Sequence, residues 1–110
     1  MNDQLKKLEF LINRSNILYK QYKEEPIYIN ALLIKNTNKK IIELLLSKGH
    51  LFNNTEDVNE VLNHFEVWYF QFIQLEKSVV SLEEKFVFNR LDQATAYPNQ
   101  SIVRLLKYRE

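Results

Sequence analysis

One glycine, Gly49, two prolines and no cysteine in 110 residues rule out a good deal of chemistry. Phosphate-cradling loops, dinucleotide-binding turns and nucleophile elbows need glycines where the backbone turns tightly or approaches a ligand, and none of them can be built here. Without cysteine there are no disulfide frameworks, thiolate nucleophiles or Cys-based zinc sites. A long apolar run is missing too. No window approaches the roughly 18 uncharged apolar residues that a membrane-crossing helix needs, and the opening MNDQLKKLEF lacks the apolar centre of a secretory signal. The expectation is a soluble, cytoplasmic protein with no membrane partner. Fifteen basic and fourteen acidic residues leave a net charge of +1, so no whole-molecule field gathers phosphates or acidic partners.

What is present is globular in balance: 45% apolar, 13% aromatic and 26% charged. The length suits one domain over 1–110, with a core that needs neither metal nor disulfide. Frequent Asn, Lys, Ile, Phe and Tyr lean toward an AT-rich microbial or phage genome.

Leu5, Leu8, Leu11, Ile12, Leu18, Tyr19 and Tyr22 recur at three- and four-residue spacing, predicting a helix from Asp3 to about Glu24 that Pro26 ends or redirects. The segment IYINALLIKN mixes strand-like and helix-like residues and reads as helix, because no hairpin signal comes after it. Thr37 or Asn38 is placed to cap KKIIELLLSK, with Gly49 as a left-handed C-cap. Asn54 or Thr55 is placed to cap a long helix from about Glu56 to Lys77, with acids in its first turn where the helix dipole favours them. Ser81 to Glu84 matches a capping box able to start a short helix, but KFVFNRLDQATAY beyond it has no clean period, and the region 79–98 is read as irregular. Asn99 is placed to cap a last helix carrying Ile102, Leu105 and Leu106. The expected fold class is all-α, a compact single-domain bundle of four or five helices.

The densest feature is NHFEVWYFQFIQLEK, with Phe65, Trp68, Tyr69, Phe70 and Phe72 in eight positions. On a helical projection Val58, Val61, Leu62, Phe65, Tyr69, Phe72 and Ile73 share one face, with Trp68 at its margin, so most of the density reads as core. Val67 and Phe70 fall on the other side, among Asn59, Glu60, Asn63, Gln71 and Gln74. The first helix repeats the pattern with Phe10 and Ile17, seven apart and off its main stripe. These four residues either broaden the core or contact another chain, most simply as a symmetric homodimer.

Chemistry is sparse. His50 and His64 are the only histidines, and neither has a Glu three residues before it, so the di-iron bundle motif is missing. Glu60 and His64 are four apart, a spacing better explained by a surface ion pair than by catalysis. No oxyanion loop supports a triad. No catalytic, cofactor-binding or metal-binding residues are assigned, and no small-molecule substrate is evident. The segment from Ile41 to about Phe65 has the outline of a helix-turn-helix unit, yet its second helix carries Glu56, Asp57, Glu60, Glu66 and Glu76 and would repel phosphates. Lys35, Lys39, Lys40, Lys48, Arg104, Lys107 and Arg109 are the basic residues that an alternative function, as a nucleic-acid-associated regulator, would use. The leading expectation is a non-catalytic interaction module, regulator or inhibitor that binds a protein partner or itself through Phe10, Ile17, Val67 and Phe70.

Overall fold

The computed structural model describes residues 3–52, 54–88 and 98–107, apart from the Lys107 side chain. Its helices are α1 (Asp3–Glu24), α2 (Tyr28–Lys48), α3 (Thr55–Glu76) and α4 (Asn99–Lys107), with a 3-10 turn at Gly49–Leu51. Among the described residues there is no strand, only an antiparallel bridge between Ile27 and Lys85. The molecule is an all-α bundle, elongated at 44 × 22 × 22 Å.

The α1 stripe buries Leu5, Leu8, Ile12, Ser15, Leu18 and Tyr22, the period-3.6 positions of its sequence, while Tyr19 stays exposed. Pro26 lies just past the helix end, and the chain turns directly into α2. That helix runs unbroken through Thr37 and Asn38, which therefore cap nothing. Thr37 Oγ1 bonds back to the Leu33 carbonyl, and Asn38 is buried, accepting a 2.7 Å hydrogen bond from Ser15 Oγ of α1. Asn38, not Thr37, marks a buried contact between helices.

Gly49 also differs from expectation. Its φ of −57° is right-handed, and its N–H continues the helix to Leu45 O. The position needs a small residue for a packing reason: a Cβ there would meet Val58 Cγ1 of α3 at 3.0 Å. At the other connection, Asn54 caps α3 as expected, its side chain accepting from the Asp57 N–H at 3.2 Å.

The Ser81–Glu84 hydrogen bonds of a capping box form with no helix behind them. Glu84 Oε1 accepts from the Ser81 N–H and Ser81 Oγ from the Glu83 N–H. The chain then runs extended from Lys85 to Phe88, because Phe86 and Phe88 are pulled into the core. The turn before this strap caps α2, whose N-cap Ile27 has no side-chain acceptor. The Glu84 carbonyl takes the Tyr28 N–H at 2.9 Å and the Leu82 carbonyl takes the Ile29 N–H at 2.8 Å, while Phe86 N–H bonds Pro26 O. Donors that every helix N-terminus leaves unsatisfied are thus met by a distant segment.

The core has two parts stacked along the long axis. One gathers Leu8 and Ile12 of α1, Ile41 and Leu45 of α2, Val61 and Phe65 of α3, and Ile102 and Leu105 of α4. The other gathers Leu18 and Tyr22, Ala31 and Ile34, Trp68 and Phe72, and the strap residues Phe86 and Phe88. So α1, α2 and α3 run through both, and the fourth side is filled by α4 at one end and by the strap at the other. Tyr69 packs against both parts.

Candidate interaction surfaces

The aromatic stretch of α3 divides sharply. Phe72 is wholly buried, with ring centroids 5.1 Å from Trp68, 4.9 Å from Phe86 and 5.8 Å from Phe88. Phe65 and Trp68 are buried as well, whereas Tyr69 and Ile73 are only partly covered, so the buried stripe is turned toward Trp68 relative to the projection. The indole is the largest side chain on the helix and Phe88 of the strap packs edge-on against it, which brings it inward. Phe70, one position past Tyr69, is 64% exposed, and Val67 is half-buried beside it.

On α1, Phe10 is 67% and Ile17 49% exposed, on the side opposite the buried stripe. Seven residues separate them along about 10 Å of helix, so they share one outward line. The two pairs do not meet. The stripes of α1 and α3 point into the same core, so the faces opposite those stripes point away from each other.

Charged residues of both signs surround these faces. Of the five acids on α3, two are held inside the bundle. Asp57, with a side chain only 4% exposed, receives Arg104 of α4 through three hydrogen bonds of 2.8 to 3.1 Å. That guanidinium, foremost among its surroundings, holds the Asp57 carboxyl below its ordinary value of 3.8 against the opposing effect of desolvation. Glu76 takes Lys35 Nζ at 2.6 Å and Tyr28 OH at 2.8 Å, tying α2 to α3. Burial first, and the Glu76 contact second, push the Tyr28 phenol up to about 12. Five less two leaves Glu56, Glu60 and Glu66, all exposed, and Ser101 Oγ of α4 donates to Glu60 at 2.7 Å. On α1 the exposed charges include the cations Lys6, Lys7, Arg14 and Lys20 and the acids Asp3 and Glu24, which stand seven residues from Phe10 and from Ile17 on the same outward line.

His64 is buried, with its ring set edge-on to Phe65 at 5.2 Å, where the spacing predicts a surface position. Its place on the core side of α3, among Val61, Phe65 and Trp68, accounts for the difference. No group of three or more metal-ligating side chains occurs among the described residues. Within the basic set, Lys35 and Arg104 are committed to Glu76 and Asp57, and Lys39, Lys40 and Lys48 are exposed. The Lys107 side chain and Arg109 lie outside the described residues. No helix among the described residues is long and apolar enough to cross a membrane. Compared with protein-family models, curated proteins and solved structures, the chain matches none.

Proposed function

We propose that this chain is a small, non-catalytic, cytoplasmic interaction module, a regulator or inhibitor that acts by binding a protein partner or another copy of itself. One observation carries the reading: Phe10, Ile17 and Phe70 are set outward on two helices whose core is closed without them. Isolated exposed apolar residues are ordinary. Two outward aromatics on two different helices, Phe10 with Ile17 seven residues on and Phe70 beside Val67, are what supports reading these faces as contact surfaces.

Magnitudes limit the strength. Phe10, Ile17, Val67 and Phe70 together contribute on the order of 6–12 kcal/mol gross when fully buried, at about 1.5–3 kcal/mol each. Association costs about 4–15 kcal/mol. Flanking polar contacts must add to the apolar ones, and the complex is expected to be of modest affinity. The test compares the wild type with a Phe10→Asp/Phe70→Asp double variant in two measurements: mass by sedimentation velocity, and capture of partners from a microbial lysate read by mass spectrometry. The variant is expected to melt like the wild type and to lose self-association or a captured protein. A wild type that remains monomeric and captures nothing the variant loses overturns the reading.

A further inference from the structure

We propose that α4 is a releasable latch: it leaves its seat as a unit while α1–α3 stay folded, and the seat it uncovers takes the α4 of a second copy. Phe10, Ile17, Val67 and Phe70 have no part in this device. Helix α4 has nine residues. An isolated helix shorter than about 12–15 residues is marginal in water, so the helical form of α4 depends on its being docked. The seat lies on α3 and α1. Into it α4 puts Ile102 and Leu105, both buried, with Leu106 partly covered, against a half-core that includes Leu8, Val61 and Phe65. Two side-chain ties fix the register, Arg104 on Asp57 and, one turn earlier, Ser101 on Glu60. The pieces at the other end of the bundle are held differently, since the turn and strap are joined to the start of α2 by main-chain hydrogen bonds. Release of α4 gives up three apolar side-chain contacts and two polar ties and regains the freedom of its residues. These opposing terms are similar in size, so the open form lies well below global unfolding in free energy. No charge is stranded by the release. Arg104 stands at the edge of the seat with its side chain 47% exposed, and water takes both ions as the helix lifts. The open seat is then an apolar groove with Asp57 and Glu60 on its rim, and the sequence seen to fit it is that of α4. A second copy presents the same residues, so exchange of α4 between copies repeats every docked contact and needs no new one.

Hydrogen exchange of the wild type, followed by NMR, tests the release. The α4 amides are expected to share one protection factor, at least about tenfold below that of the central amides of α1–α3. Protection equal to that of the central helices, or a gradient falling smoothly toward the C-terminal end of α4, overturns the proposal. Binding by the seat is read from the anisotropy of a fluorescein-labelled peptide of residues 98–107. On a full chain carrying Arg104→Glu, whose own α4 is repelled by Asp57, the peptide is expected to bind at least about tenfold tighter than on the wild type, where the seat is occupied. The same peptide carrying Arg104→Glu is expected to bind neither chain. Should the charge-reversed chain lose its helical dichroism, Arg104→Gln, which removes the ion pair without adding an acid, replaces it with the same order of affinities expected. Equal binding to both chains, binding of the altered peptide, or no binding to either chain overturns the proposal, and each of these leaves the reading of the outward apolar residues standing.

Discussion

Two positions along a helix is about 200° of rotation, and that rotation separates Phe70 in solvent from Phe72 in the core. Truncating Phe72 removes its contacts with Trp68, Phe86 and Phe88, so Phe72→Ala is expected to lower stability by about 3–5 kcal/mol. Phe70→Ala is expected to stay within about 0.5 kcal/mol of the wild type under conditions where the chain is monomeric. Urea denaturation of the two variants side by side measures both. The difference between these residues is legible in the sequence, because period alone sets it. The inward position of Trp68 is not, since the aromatics that cover it come from a segment with no helical period.

Asp57 makes an acid-sensitive contact with Arg104. Its folded pKa is depressed, so the folded state binds the proton less readily than the unfolded chain does. The stability it contributes is therefore complete above the ordinary carboxylate range and is lost as pH falls through the lower, folded value. Asp57→Asn is expected to melt below the wild type at neutral pH, and the gap is expected to close as pH falls below about 4. Thermal melts across pH 2 to 7, at about one-unit steps, check the sign. The acidic first turn of α3 is visible in the sequence as a favourable dipole arrangement; that one of its acids is buried under Arg104, 47 residues on, is not.

At the scale of elements, most helices are marked by their own residues: the stripe of α1, the Asn54 cap of α3, the amphipathic pattern of α4. The errors fall where a residue with a local meaning is used for a distant contact. Asn38 reads like a cap and is a buried partner of Ser15; Ser81–Glu84 reads like a helix start and forms a turn that leads into the strap. Gly49 reads like a left-handed terminator and instead admits Val58. That last assignment can be tested by a cycle. Gly49→Ala is expected to destabilise by about 1 kcal/mol, as crowding of about 1–3 kcal/mol outweighs a helix gain of about 0.5–1. In a Val58→Ala background, where the opposing methyl is gone, the same change is expected to stabilise by about 0.5–1 kcal/mol. Denaturant midpoints of the four chains decide it.

For the molecule as a whole, four-sidedness is completed by two unlike pieces, α4 over one half of the core and Phe86 with Phe88 over the other. The signal for the second piece is present as an alternation, Phe86 in, Val87 out, Phe88 in, the period of an extended chain. Three residues are too few for that period to be recognised without the partner it packs on. The candidate surfaces have the opposite fate. Phe10, Ile17 and Phe70 are legible as off-stripe residues, while the withdrawal of Asp57 and Glu76 from the exposed acids of α3 emerges only with their partners Arg104 and Lys35 in place.

The sole tryptophan sits in only one of the two half-cores, with its ring 5.5 Å from Phe88 and 5.1 Å from Phe72. Its emission is therefore an optical address for the strap end of the molecule, shifting to the red when water reaches the indole. The α4 end is dark at those wavelengths. Far-ultraviolet dichroism, which weighs every helix, sees both ends at once. Unfolding curves from the two signals coincide if the half-cores melt together, and the order of the curves names the end that opens first if they do not.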